Sequence, residues 1–343
     1  LDTNGITIKC DPSANVGDTF KVNGVSYTVV DRTMLFEVIS QGADLSNVCT
    51  SLVDDMTYLF NGSSFNEDIS SWDVSNVTNM ESMFSYSQFN RDISAWDVSS
   101  VKNMYAMFEE SLFNQDISDW DVSSVTDMRI MFWGSVFNQP IGDWDVYNVY
   151  DMDSMFIFSQ FNQPIGDWDV GNVRNMRQMF FDSAFNQDIS AWNVSTVANM
   201  ESMFTSSRFD QDISSWDVSN VTSMDQMFAY SQFNRDISIW DVRYVKSMDY
   251  MFAGSQFNQP IGSWDVRNVT SMVNMFWDSE FNQDISAWDV SNVTSMNRMF
   301  TDSQFNQDLS GWNVDNVTSC FEFSINAPQW VLPKPNFTNC DPN

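Results

Sequence analysis

Tryptophan recurs along this chain every 24 residues, at Trp72, Trp96, Trp120, Trp144, Trp168, Trp192, Trp216, Trp240, Trp264, Trp288 and Trp312, with no insertion or deletion between copies. A fixed period in the range of about 20 to 50 residues marks a solenoid or an array, and it takes precedence over reading element by element. Each coil of such an array touches only its neighbours. The 343 residues therefore predict one elongated, capped body, although the length alone would accommodate two domains.

Within the copy from Phe89 to Phe108, the apolar slots are Phe89, Ile93, Trp96, Val98, Val101, Met104, Met107 and Phe108. From Val101 onward they fall at i, i+3, i+6 and i+7, which predicts a helix of about two turns, with Ser99 or Ser100 as its N-cap. Asp92-Ile93-Ser94 alternates polar and apolar, which predicts a short strand. The expected fold is an α/β solenoid, leucine-rich-repeat-like, of about twelve 24-residue coils over residues 41–324. Each coil would carry a short parallel strand and a short helix, and a parallel β-helix-like rod is the alternative. One coil alone cannot bury enough surface to offset its ordering entropy, so stacking must cover both faces of every interior coil.

The two ends depart from the period. Residues 1–40 predict an N-terminal cap: a strand at Ile6-Thr7-Ile8, a hairpin over Thr19 to Val30 turning at Asn23-Gly24, and a helix from Arg32 to Gln41 stopped by Gly42. Residues 41–64 form a degenerate first coil, with Val48 in the tryptophan slot and Cys49 in the following aspartate slot. Cys320 occupies a methionine slot, and the pattern then dissolves into Pro328, Pro333 and Pro335, so 325–343 predict a C-terminal cap or tether.

The cysteines Cys10, Cys49, Cys320 and Cys340 lie outside the regular array and form no CxxC pair, and the chain has no histidine, which argues against zinc. Their placement favours the disulfides Cys10–Cys49 and Cys320–Cys340, with free buried thiols as the alternative. Disulfides imply an oxidising compartment. A net charge of −31, from 46 acidic and 15 basic residues, opposes nucleic acid and anionic membranes. No apolar run approaches the ~20 residues that span a bilayer, and the opening Leu1-Asp2-Thr3 predicts a processed form.

The stretch Phe-Asn-Gln-Asp-Ile-Ser-Ala-Trp-Asp-Val-Ser-Asn-Val-Thr-Ser-Met-Asn-Arg-Met-Phe, from Phe281 to Phe300, resembles the repeat of the BspA-like leucine-rich-repeat surface proteins, which are secreted or displayed on bacterial cells. The resemblance covers about residues 41–324. It implies a leucine-rich-repeat-like horseshoe or rod, surface display, a part in adhesion or protein interaction, and no catalytic residues. Trp, Met and Phe stand here in the slots that leucine-rich repeats proper fill with Leu.

Three recurring polar columns are candidates for chemistry. The first holds Asp68, Asp92, Asp116, Asp188, Asp212, Asp236, Asp284 and Asp308; where it becomes Pro140, Pro164 or Pro260, the serine two residues on becomes Gly142, Gly166 or Gly262. This paired change favours a structural Asp–Ser hydrogen bond. The second column follows each tryptophan, as in Asp73, Asp97, Asp121 and Asp145, and interchanges with Asn193 and Asn313, which favours turn capping. Calcium bridging through those four carboxylates is the sharper alternative, although no DxDxDG loop is present. The third column is an asparagine ladder from Asn66 to Asn306, read as structural; Asn-Val-Thr sequons fall out of the repeat itself.

Function should therefore lie at the variable slots. Trp133, Ile157 and Phe181 follow consecutive Met-Phe pairs, Phe158 lies alongside, and Ile130, Tyr147 and Tyr150 fill nearby variable slots. Such a cluster predicts an exposed apolar patch, and the competing reading has these groups packing on one another. Without histidine no Ser/His/Asp or Cys/His set can exist, and no phosphate loop is present. The expected function is a secreted or cell-surface, non-enzymatic module for adhesion or protein–protein assembly, without a cofactor unless calcium binds. Its partner would be a protein or glycan on a cell surface, or further copies of itself. The alternative is a calcium-dependent carbohydrate-binding surface protein.

Overall fold

The computed structural model describes residues 1–343. The chain divides into two compact units, one of Leu1–Asp151 with Ser159–Trp168, the other of Met152–Phe158 with Asp169–Asn343.

The first unit opens with β1 (Thr19–Val22) and β2 (Val25–Val29), an antiparallel hairpin pairing Val22 with Val25. Its turn is made by Asn23 and Gly24, both at positive φ, the geometry a two-residue hairpin turn demands. Helix α1 (Arg32–Ser40) follows, with Asp31 as N-cap accepting the Met34 N–H and Gly42 at φ 63 closing the far end. β3 (Val48–Cys49) then adds parallel to β2, inside the degenerate first repeat, and Cys10 is bonded to Cys49. Ile6-Thr7-Ile8 is not a strand; Ile8 is buried and its N–H donates to the Ser71 carbonyl.

Beyond β3 neither unit contains a helix or a strand of more than one residue, which corrects the α/β reading of the repeat. The stretch expected to be helical is a run of tight turns. Met80, Ser82, Phe84 and Tyr86 donate their N–H groups to the carbonyls of Asn103, Tyr105, Met107 and Glu109 in the next repeat, at 2.7–2.9 Å. The intervening Met83, Ser85 and Ser87 donate within their own repeat, each to the carbonyl three residues back. Ser82 and Tyr86 are at φ 51 and 55, and the equivalent slots of the other repeats share this left-handed conformation. An α-helix keeps its hydrogen bonds inside one segment and admits no such residue. Here alternate donors leave the coil, so the stretch is intelligible only in a stack. The same pattern joins Met272, Asn274, Phe276 and Asp278 to Ser295, Asn297, Met299 and Thr301 in the second unit.

The strand expected at Asp92-Ile93-Ser94 is likewise a turn, in which Asp92 Oδ1 accepts the Ser94 N–H and Ile93 O accepts the Trp96 N–H. Parallel pairing survives as single bridges at 24-residue steps, Asn79↔Asn103↔Asp127 in the first unit and Ser247↔Ser271↔Ser295 in the second.

The recurring apolar slots do line the interior. Phe84 stacks on Phe108 at 5.7 Å and Phe89 on Phe113 at 6.2 Å, with Phe84 and Phe89 4.4 Å apart inside their own repeat. Buried indoles of the repeat tie their coils to the preceding ones, as Trp96 Nε1 donates to Ile69 O at 3.2 Å and Trp264 Nε1 to Ile237 O at 3.1 Å. At the end of the second unit Trp330 sets its ring edge-on against Phe300 and Phe305, at 5.1 and 4.8 Å. Asn306 Oδ1, the last rung of its ladder, accepts the N–H groups of Val331 and Leu332, and Cys320 is bonded to Cys340.

Candidate functional site

The polar columns are committed to the backbone. In the first, each aspartate accepts the N–H of the serine two residues on, as Asp116 does from Ser118 at 2.9 Å, and these bonds hold the Asp116 carboxyl below its ordinary range. The bond closes a turn, and at Asp308 the Ser310 hydroxyl donates as well as its N–H. Where Pro replaces Asp the backbones close in: a Cβ on Gly142 would lie 2.8 Å from Pro164 O, and one on Gly262 2.4 Å from Asp284 O, so serine cannot return there. In the asparagine column of either unit a side-chain oxygen accepts the N–H of its counterpart one repeat on, for example Asn114 N–H to Asn90 Oδ1 at 2.9 Å and Asn258 N–H to Asn234 Oδ1 at 2.9 Å. The ladder therefore links coils as well as shaping turns.

The four candidate calcium carboxylates each hold their own turn. Asp73 is buried and accepts the Ser51 hydroxyl at 2.5 Å and the Ser75 hydroxyl at 2.7 Å. Asp97 and Asp121 accept the Ser99 and Ser123 hydroxyls, both at 2.6 Å, and the Ser123 hydroxyl and then its N–H lower the Asp121 carboxyl. Asp145 Oδ1 accepts the Tyr147 N–H at 3.1 Å. No group of three or more acidic or cysteine side chains converges as a metal cage would require.

The apolar candidates separate by burial. In the first unit Ile130 and Trp133 close one tight turn, Trp133 N–H to Ile130 O at 3.0 Å, and both are half-buried. Ile130 is at φ 62, a costly conformation for a β-branched residue. The Trp133 Nε1–H is buried without an acceptor. Tyr147 and Tyr150 stand out from a different turn, 52% and 51% exposed. In the second unit Ile157 is only 8% exposed, so it packs inward and leaves the expected patch. Phe158 is 47% exposed and meets the half-buried Phe181 edge-to-face at 5.6 Å.

A further aromatic in the same slot escaped the sequence reading. Trp277 follows Met275-Phe276 as Trp133 follows Met131-Phe132, so the signal was available. It is half-buried, donates Nε1–H to Asp302 Oδ2 at 3.3 Å, and receives the Tyr230 ring edge-on at 6.2 Å. Trp277 and Tyr250 border a cavity of about 350 Å³.

Five overlapping stretches, residues 31–135, 109–212, 157–256, 183–280 and 229–332, match the sequence model of one family, described as "Mycoplasma protein of unknown function, DUF285". No curated protein and no solved structure matches the sequence.

Proposed function

The chain belongs to the DUF285 family of unknown function, and from its surface we propose a non-enzymatic repeat scaffold, secreted or displayed on the cell, that acts in adhesion or protein–protein assembly. The observation that carries this reading is the contrast between columns. Side chains that recur in the repeats are buried or tied into turns, whereas Tyr147 and Tyr150 project where other repeats carry Ser123 and Ser219, or Thr126 and Thr222. Exposed tyrosines are typical anchors of protein interfaces, because they supply contact area at little entropic cost together with a polar tip. The two disulfides fit an oxidising compartment, and no helix is long and apolar enough to cross a membrane. The likeness of Phe281 to Phe300 to BspA-like repeats supports surface display. The partner is a protein or glycan of a cell surface, or a second copy of this chain.

The test replaces both tyrosines by the residues the repeat uses elsewhere, Tyr147→Ser with Tyr150→Thr. Attachment of labelled protein is measured on cultured cell surfaces and on immobilised protein of the same sequence. Attachment by the parent, with strong loss in the double variant at an unchanged melting temperature, is expected. Full attachment by the double variant would remove the tyrosine face from the proposal. Attachment by neither protein to any surface would remove the adhesion role itself.

A further inference from the structure

The cavity of about 350 Å³ beside Trp277 lies wholly within the second unit and is built from variable slots of the repeat. Tyr250, Asn274, Arg298 and Glu322 are successive members of one left-handed column, and Trp277 and Asp302 come from the two columns after the Met-Phe pair. None of these six slots is needed to hold the coil, since other repeats fill them with Ser82, Ala106, Thr205 or Asp182.

One side chain there is unexplained by the fold. Asn274 is only 6% exposed, lines the cavity, and its side-chain amide makes no hydrogen bond within the chain. Its amide atoms are not among the buried polar groups left without a partner, so they open onto the cavity and are free to pair with a ligand there. Around it the Trp277 and Tyr250 rings offer apolar surface, Asp302 presents a carboxylate, and Arg298 is neutralised by Glu322 at 2.6 Å. Trp277 is held in place from two sides, by its bond to Asp302 and by the edge of Tyr230. The Tyr230 ring reaches it only because Gly254 lacks a Cβ, which would sit 2.4 Å from Tyr230 Cδ1.

We propose that this cavity binds a neutral pyranose sugar. A pyranose has an apolar C–H face to lie on an aromatic ring, and hydroxyls that both donate and accept, which match the acceptor and donors of the Asn274 amide facing the cavity. An organic ammonium ion would satisfy the rings and Asp302, but its charged group offers no acceptor to the Asn274 N–H donors. Anionic sugars meet the uncompensated Asp302 carboxylate and a protein of net charge −31. The volume is at the lower end of the roughly 300–1,000 Å³ of small-molecule sites, the size of one or two sugar rings. The site owes nothing to the tyrosine face of the other unit, so either proposal can fail alone.

The experiment is saturation-transfer NMR on the full chain in EDTA. The probes are the methyl glycosides of glucose, galactose and mannose, and N-acetylglucosamine, with choline and N-acetylneuraminic acid as competing chemistries. At least one neutral sugar should receive transfer, with a millimolar dissociation constant. Asn274→Ala and Trp277→Ala should each weaken it by about tenfold or more, the effect of losing one well-made contact. Both variants should fold, since alanine stands at these slots in Ala106 and Ala253, and a thermal melt verifies this. Tyr147→Ser with Tyr150→Thr should leave sugar binding intact. No transfer to any neutral sugar at tens of millimolar, binding of choline or N-acetylneuraminic acid alone, or sugar binding indifferent to both alanine variants would each overturn the assignment.

Discussion

Trp133 in the first unit and Trp277 in the second fill one slot of the repeat, each directly after a buried Met-Phe pair, and the two indoles fare differently. Trp277 has an acceptor for its N–H and a tyrosine edge against its ring; the Trp133 N–H is buried without an acceptor. The slot twenty-five residues on from Trp277 supplies that acceptor, Asp302. The glycines differ too. Gly254 clears space for the rigid Tyr230 ring, whereas Gly134 clears it for the flexible Glu110 carboxyl, 2.7 Å from where a Cβ would be. A repeat thus places an aromatic by its own register, but neighbouring variable slots decide whether that aromatic becomes part of a site.

The largest effect that sharpens the comparison is between adjacent residues. Phe276 is fully buried, stacked 5.8 Å from Phe252 and 5.5 Å from Phe300, and Phe276→Ala should cost about 3–5 kcal/mol in denaturant unfolding. Trp277→Ala should cost about 1 kcal/mol, because the ring is half-exposed and loses only part of its packing together with an exposed bond to Asp302. Equal costs would make Trp277 a core residue and dissolve the contrast. The glycines come next. Gly254→Ala places a side chain at φ 61 and drives Tyr230 off Trp277, for a loss of about 2 kcal/mol or more. Gly134→Ala, at φ 62, need only turn the Glu110 carboxyl aside, for about 1 kcal/mol. Reversal of that order would show that Tyr230 adapts freely.

Trp→Phe should then give opposite signs. Trp133→Phe deletes a buried unpaired N–H and should hold or raise stability by up to ~1 kcal/mol, while Trp277→Phe deletes a bonded one and should lose a fraction of ~1 kcal/mol. Two losses of the same size would mean that Trp133 finds an acceptor in solution.

The smallest expected effect is in pH. Burial raises the Asp249 carboxyl in the second unit, although it accepts from Ser271 Oγ and Val273 N–H. A raised carboxyl stabilises below its unfolded value, and that contribution is lost as pH rises through the folded value. Asp249→Asn should therefore raise the melting temperature at neutral pH, with the gain fading in acid. Asp116 in the first unit is lowered, so its contribution exists above the unfolded value and is lost as pH falls through the folded value. Asp116→Asn should lower the neutral melting temperature and converge with the parent in acid. Parallel pH profiles for the two variants would contradict both assignments.

Much of the architecture was legible in the chain itself. Asn23-Gly24 announced the hairpin and Gly42 the end of α1, and the four cysteines pair as their positions outside the array suggested. The helix misreading arose because Val101, Met104, Met107 and Phe108 face inward in a run of turns as they would on a helix. A signal for turns was present: Gly62, Gly134 and Gly254 share one slot with Asp182, Asp278, Asp302 and Asn326, residues that tolerate positive φ. In the candidate patch, Tyr147, Tyr150 and Phe158 are exposed, whereas Ile157 turns inward, and the same slot carries a further aromatic at Trp277.

What the chain determined by itself is which side chains face in, since stacked copies bury a column only if every repeat supplies an apolar group at the same step. The direction of each N–H was decided only in the folded stack, because Ser82 and Phe84 donate to Tyr105 and Met107, partners that are absent from their own repeat. The cavity at Trp277 likewise exists only once Tyr250, Asn274 and Arg298 are stacked side by side. Residues one full repeat apart do not meet in any local segment, and only the packing of one coil on the next makes a site of them.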